Sequence, residues 1–205
     1  MLMRTPASFR QLLAAMACVA SPVMGQLPTT RLDAVFPPGL QAGSETTVAL
    51  TGLDLAEVDR LVFSDAGLSA VHGEGLNFKV TASAGIQPGL YEVRAAGRYG
   101  ISASRLFAVG TLPELLESGP HDSPEKALLL TLPITVNGTT GTDAADYFRF
   151  AASQGQRLLL SCAAERIDSP LNAVLTLFDP AGRELHSAHR THSGDAIIDF
   201  TAPQD

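Results

Sequence analysis

The residue types of a catalytic triad stand together at one place in this chain, His121, Asp122 and Ser123. In such a triad a carboxylate orients an imidazole, and the imidazole activates a hydroxyl as nucleophile. Adjacent side chains on an extended chain point in different directions, so the contiguous order favours a polar loop. Residues 100–104 come nearest to a Gly-x-Ser-x-Gly nucleophile turn but lack its second glycine. The sequence therefore predicts no catalytic residues and no enzyme.

The two cysteines offer little further chemistry. Cys162 lies in the apolar run 158–163, which favours a buried core thiol over a nucleophile. Cys18 lies in the N-terminal leader, and residues 15–17 before it lack the leucine expected ahead of a lipid-modified cysteine. We expect Cys18 to be removed with the leader, which leaves one thiol and no intramolecular disulfide.

Potential metal ligands occur in two groups. His186, His189 and His192 are spaced by three, which would suit a zinc site on a helix, but the polar residues around them favour a solvated loop. Calcium prefers several oxygen ligands, and Asp122, Asp143 and Asp146 are available, so calcium binding near them is left open. We predict no metal site and no cofactor.

Five aromatic residues could line a sugar-binding face. They recur at strand spacing, which is more typical of side chains inside a β-sandwich. The five are Phe36, Phe63, Phe78, Tyr91 and Phe107.

The N-terminus has the order of a secretory signal peptide. Residues 1–25 contain Arg4 and Arg10, then an apolar stretch too short to span a membrane, then small or apolar residues before Gln26. Removing this segment takes the net charge from −7 to −9 because it holds two arginines and no acid. An acidic chain without a basic run argues against binding to nucleic acid or anionic lipid. We expect a secreted, periplasmic or cell-surface protein that begins near Gln26.

Short strands are predicted along the whole mature chain, since apolar residues alternate with polar ones and turn residues interrupt them. Seven candidates fall between residues 31 and 109, as in a β-sandwich. Residues 110–130 are punctuated by proline and glycine and are predicted to be a linker with one short helical turn. Strand candidates resume at residue 132. The expectation is an all-β chain with two antiparallel β-sandwich domains in tandem, 26–109 and 131–205.

The first of these regions resembles an IPT/TIG immunoglobulin-like domain. The resemblance rests on residues 32–39, 47–52, 88–94 and 102–109. It implies an immunoglobulin-like sandwich.

The second region resembles the bacterial pre-peptidase C-terminal domain. The match lies in residues 133–138, 146–158 and the hairpin 175–185, and it implies a jelly-roll-like sandwich. The family's closing Gly-x-Tyr strand should follow Pro203 and is absent, so we expect an incomplete domain, either truncated or completed by a strand from a partner.

Together, the two resemblances imply a non-catalytic secreted accessory module. It would space, position or engage surfaces and substrates for a larger exported protein, whose other domains or cell-surface components would be its partners. One alternative is a carbohydrate- or matrix-binding module, and another is the N-terminal part of a secreted peptidase or other hydrolase. The oligomeric state is left open.

Overall fold

The computed structural model describes residues 27–141, 144–189 and 194–203. The predicted signal peptide, Asp143 and His192 lie outside these residues. The described residues form strands and two 3-10 turns, Pro124–Lys126 and Glu165–Ile167, and contain no α-helix. The strands are β1 (Arg31–Phe36), β2 (Gly39–Gln41), β3 (Glu45–Leu53), β4 (Val58–Phe63), β5 (Leu68–His72), β6 (Asn77–Ala82), β7 (Gly89–Gly97), β8 (Gly100–Ile101), β9 (Arg105–Gly110), β10 (Glu114–Leu116), β11 (Leu128–Leu130), β12 (Thr135–Asn137), β13 (Phe148–Phe150), β14 (Arg157–Ser161), β15 (Val174–Phe178), β16 (Glu184–His189) and β17 (Ile197–Thr201). The prediction of an all-β fold is confirmed.

Residues 31–110 form two sheets that enclose one core, and we call this unit the sandwich. One sheet has the strand order β1-β3-β6-β5, and the other has the order β2-β9-β7-β4 with β8 paired to β7. Alternation explains the arrangement: in β6 every second side chain is buried, which places Phe78, Val80 and Ala82 on the inner face. The core draws on both sheets, including Leu32, Val48, Leu50, Phe78, Val80, Leu40, Leu61, Val93, Phe107 and Val109.

Two β-bulges interrupt the sandwich's pairing, and each lies opposite a glycine. The register of β1 on β3 shifts between Leu32 and Ala34, next to Gly52. The register of β4 on β7 shifts between Val58 and Arg60, next to Gly97. An extra residue pushes the bulged strand toward its partner, and glycine leaves room for that approach.

Residues 114–203, as far as they are described, form the C-terminal part. It contains four separate strand pairs: β10 with β12, β11 with β13, β14 with β17 and β15 with β16. The β14–β17 pair turns Leu158 and Ile198 inward, while Leu159 and Ile197 on its other face stay exposed. The jelly-roll-like sandwich expected for this region stays a prediction.

The segment predicted as a linker, 110–130, contains two strands in addition to a short helical turn. Its strands β10 and β11 pair in parallel with β12 and β13, which lie later in the chain. These residues therefore contain paired strands, because apolar residues such as Leu115 and Leu128 find strand partners that local sequence does not reveal. The domain boundaries and the role of residues 110–130 as a linker stay predictions. β2 also pairs in parallel, with β9, so the sheets are antiparallel except at these three pairs. Among the described residues no helix is long and apolar enough to cross a membrane.

Candidate functional site

The five aromatic residues singled out in the sequence do not form an exposed face. Phe78 and Phe107 are fully buried, and Phe63 packs edge-on against Phe107 with ring centroids 5.7 Å apart. Tyr91 is half-buried against the same core, and its hydroxyl donates to the Gln87 carbonyl at 2.6 Å. Phe36 is half-buried as well. Phe63, Phe78, Tyr91 and Phe107 therefore belong to the core of the sandwich or pack against it, as their strand spacing indicates.

The contiguous residues His121, Asp122 and Ser123 do not assemble into a triad. The His121 ring contacts Gly119 and Glu117, whereas Asp122 accepts a hydrogen bond from Lys126 Nζ at 2.9 Å. Ser123 is the N-cap residue of the first 3-10 turn. The three side chains therefore engage different partners.

Cys162 is half-buried at the end of β14. Burial raises the pKa of its thiol, the nearby Asp195 carboxylate raises it further, and Arg166 opposes both. The thiolate is therefore disfavoured, and an activated nucleophile needs the reverse.

The candidate metal ligands are not gathered around one point. His186 and His189 both lie on β16, and residues three apart on a regular strand face opposite sides. Asp122 is paired with Lys126, and Asp146 faces His121. No group of three or more His, Cys, Asp or Glu side chains suited to a metal occurs among the described residues.

A contact between the sandwich and the C-terminal part lies at strand β9. One edge of β9 pairs with β7, and the other pairs with β2 only from Ala108 onward. The N–H of Ala108 donates to the Pro38 carbonyl at 2.8 Å, so the N–H of Leu106, two residues earlier, points to the same side beyond the end of β2. Asp168 Oδ2 accepts that N–H at 2.8 Å. We call this contact the β9 junction.

Local interactions hold Asp168 in place for the junction. It ends the 3-10 turn Glu165–Ile167 with a left-handed φ of 62°, a conformation that Asp tolerates better than most residues. The Asp195 carboxylate, 4% exposed, accepts the Glu165 N–H at 2.8 Å and pairs with Arg166 Nε at 3.3 Å. The turn is thus tied to the start of β17, and its last residue contacts the sandwich.

A second polar arrangement, the His121 cluster, comprises Glu117, His121 and Asp146. His121 is 6% exposed, and its two ring nitrogens lie 3.0 Å from the Gly119 carbonyl and 3.0 Å from Glu117 Oε2. Asp146 Oδ1 lies 3.9 Å from Nε2. The edge of the ring meets Phe148, with centroids 5.2 Å apart.

The two contacts suit a doubly protonated His121. A carbonyl oxygen only accepts, and so does an ionised carboxylate, so each contact is a hydrogen bond when the ring nitrogen that faces it donates. Burial lowers the pKa of His121, but the Gly119 carbonyl, Glu117 and Asp146 together outweigh it and raise the pKa above its ordinary value. His121 stands out in the sequence beside Asp122 and Ser123, whereas Glu117 lies in the segment predicted as a linker and carries no such signal.

A carboxyl–amide pair lies beside the cluster. Glu114 Oε2 accepts the Asn137 side-chain amide at 2.6 Å, across the parallel pair β10–β12. Burial raises the pKa of Glu114, and the hydrogen bond from Asn137 lowers it in part. A shallow, open depression is lined by other residues, Phe150, Ala151, Ala152, Ser153 and Gln156.

Comparisons with known proteins give a distant structural likeness. No protein-family model matches the chain, and no curated protein matches it. Among solved structures it is similar to SGBP-B of the Bacteroides ovatus mixed-linkage glucan utilization locus, solved in complex with a mixed-linkage heptasaccharide, with a TM-score of 0.32 and 12% identity. The alignment covers 83% of this chain and 35% of that chain.

Proposed function

We propose that this chain is a non-catalytic accessory module that positions neighbouring parts of a larger exported protein. The proposal includes export by the N-terminal signal peptide and the resemblances to the IPT/TIG and pre-peptidase C-terminal families. The β9 junction carries it, because a positioning module needs a defined contact between its parts. The packing of the aromatic residues supports the same interpretation, since Phe78 and Phe107 are fully buried and cannot stack on a sugar.

The junction is built to fix geometry rather than only to add stability. A charged acceptor on a backbone N–H specifies both distance and direction. The exposed setting limits its free energy to about 1 kcal/mol, so losing it changes the ratio of docked to undocked molecules roughly fivefold.

The test compares variants of Asp168 in the full chain. Asp168→Gly keeps the left-handed conformation but removes the acceptor, whereas Asp168→Asn keeps an acceptor oxygen. Asp54→Gly is the matched control, because Asp54 also has a positive φ of 53° and accepts the backbone N–H of Thr29. Residual dipolar couplings measure whether the sandwich and the C-terminal part share one alignment tensor.

We expect a shared tensor for the wild type, Asp168→Asn and Asp54→Gly, and unequal alignment magnitudes for the two parts in Asp168→Gly. Independent alignment of the two parts in the wild type would contradict the proposal. So would saturable binding of the wild type to an insoluble polysaccharide, which would instead favour the carbohydrate-binding alternative.

A further inference from the structure

We infer that His121 is a pH-dependent clamp. It holds residues 117–121 against Thr139, just after β12, and Tyr147, just before β13, only while its imidazole carries both protons. The inference goes beyond the proposed function and stands on the His121 cluster alone. Both ring nitrogens face acceptors at 3.0 Å. A neutral imidazole has one donor and one lone pair, so one of these contacts would bring two acceptors together.

Burial makes that conflict costly. His121 is 6% exposed and the Glu117 side chain is 14% exposed, so water has little room to insert between the two acceptors. An exposed histidine would exchange the lost contact for water at small cost. His72 provides the contrast within this chain, since its ring has a single hydrogen-bond contact, with the Gly75 carbonyl, in an exposed setting.

The clamp connects three segments of the C-terminal part. The His121 carbonyl accepts the N–H of Tyr147, directly before β13. Glu117 Oε1 accepts the N–H of Thr139, just after β12. Losing the contact between His121 and Glu117 therefore loosens the attachment of the segment at both places.

The charged groups around the imidazole set the direction of the pH dependence. Glu117 and Asp146 face it and favour the cation, while Phe148 contributes an uncharged ring edge. Asp122 lies nearby, and Lys126 pairs with it. Because the pKa of His121 is raised in the folded state, the clamp's stabilisation is fully present below the ordinary histidine value and is lost as the pH rises through the raised one.

The test is an NMR titration of the full chain from about pH 5 to about pH 9. Long-range nitrogen–proton correlation spectra report the protonation of each ring, and the spectrum of His121→Asn identifies the His121 signals. We expect both nitrogens to be protonated at about pH 6 and a midpoint above the roughly 6.5 of a free histidine. Over the same range the exchange protection of the Thr139 and Tyr147 amides should fall about tenfold. The Ala95 amide, bonded to Ser102 Oγ in the sandwich, should keep its protection.

A pair of variants isolates the Glu117 contact. Glu117→Gln keeps the size and an acceptor for Thr139 but removes the charge, so the His121 midpoint should fall by about one unit. Glu125→Gln is the control, because Glu125 lies close to His121 in the sequence but interacts with Ser123 and Lys126. Asp146→Asn should give a smaller fall, since its oxygen is 3.9 Å away.

Three results would overturn the clamp: a singly protonated ring at about pH 6, equal effects of Glu117→Gln and Glu125→Gln, or unchanged protection of Thr139 and Tyr147 through the titration. The wild-type titration decides the matter even if Glu117→Gln does not fold.

Discussion

At the residue scale, this protein uses carboxylates to satisfy backbone N–H groups at the places where strands end. Asp168 accepts the N–H of Leu106 beyond the end of β2, and Glu117 accepts the N–H of Thr139 beyond the end of β12. Asp54 does the same for Thr29. All three contacts are exposed to water, so each adds only a modest stabilisation, and the position of each carboxylate decides which backbone donor it pairs with.

Gly138 gives a direct test of the Glu117 position. A Cβ at this residue would collide with the Glu117 carboxylate, while one at Gly141 would meet, among the described residues, only the Ala144 Cβ, at 3.9 Å. We expect Gly138→Ala to push the carboxylate away from His121 and lower the pKa of the imidazole, and Gly141→Ala to leave it unchanged. The NMR midpoint of His121 measures both. An equal His121 midpoint in the two variants would mean that the Glu117 carboxylate does not lie against Gly138.

At the element scale, the two glycine-backed bulges shape both sheets of the sandwich. A Cβ at Gly52 would collide with the Arg31 carbonyl, and one at Gly97 would collide with the Glu57 carbonyl. Both obstacles are backbone atoms of the bulged strand, so no side-chain rotation relieves them. The bulged residues Asp33 and Asp59 pair with Arg31 and Arg60 on the exposed side.

Alanine at either bulge should therefore destabilise the sandwich. We expect Gly52→Ala and Gly97→Ala each to lower the free energy of unfolding by about 1–3 kcal/mol, the usual cost of overpacking. Gly85→Ala is the control, because its Cβ would meet no atom within 4 Å and its φ is ordinary; it should be neutral or slightly stabilising. Chemical denaturation monitored by far-ultraviolet circular dichroism measures all three. If Gly97→Ala left the free energy of unfolding unchanged, β4 would be free to move away from β7.

At the scale of the whole molecule, apolar burial is unevenly distributed. The buried core cluster lies within the sandwich, and the large apolar side chains buried in the described C-terminal part are Leu158 and Ile198. Several other apolar residues there remain exposed, including Leu129, Leu159, Val174 and Ile197. Since hydrophobic stabilisation follows the apolar area removed from water, the C-terminal part should be the less stable region.

Neighbouring isoleucines on β17 test this difference. Ile198 is 1% exposed and Ile197 is 50% exposed, on opposite faces of one strand. Ile198→Ala should cost about 2–5 kcal/mol and abolish exchange protection in β14 and β17 while β3 and β6 keep theirs. Ile197→Ala should cost about 1 kcal/mol or less. Simultaneous loss of protection in β3 would mean that the chain unfolds as one cooperative unit.

The alternation of apolar and polar residues was sufficient to predict an all-β chain with short strands between residues 31 and 109, where the structure has β1 to β9. The reason is local: a period of two places one face of a strand in the core wherever that strand pairs. The burial of Phe78 and Phe107 followed from the same spacing.

Pairing partners and polar contacts were decided only by the tertiary structure. The local sequence of residues 110–130 is typical of a linker, and only their pairing with β12 and β13 shows that they contain strands. The local sequence around Asp168 indicates only a turn, whereas its contact is with Leu106, 62 positions earlier. The His121 cluster combines both scales: Gly119 and Glu117 lie within four residues of His121, and the tertiary structure adds Asp146 and Phe148. The strand partners of residues 110–130 and the contact of Asp168 depend on groups far apart in the chain, and local propensity and periodicity carry no information about such encounters.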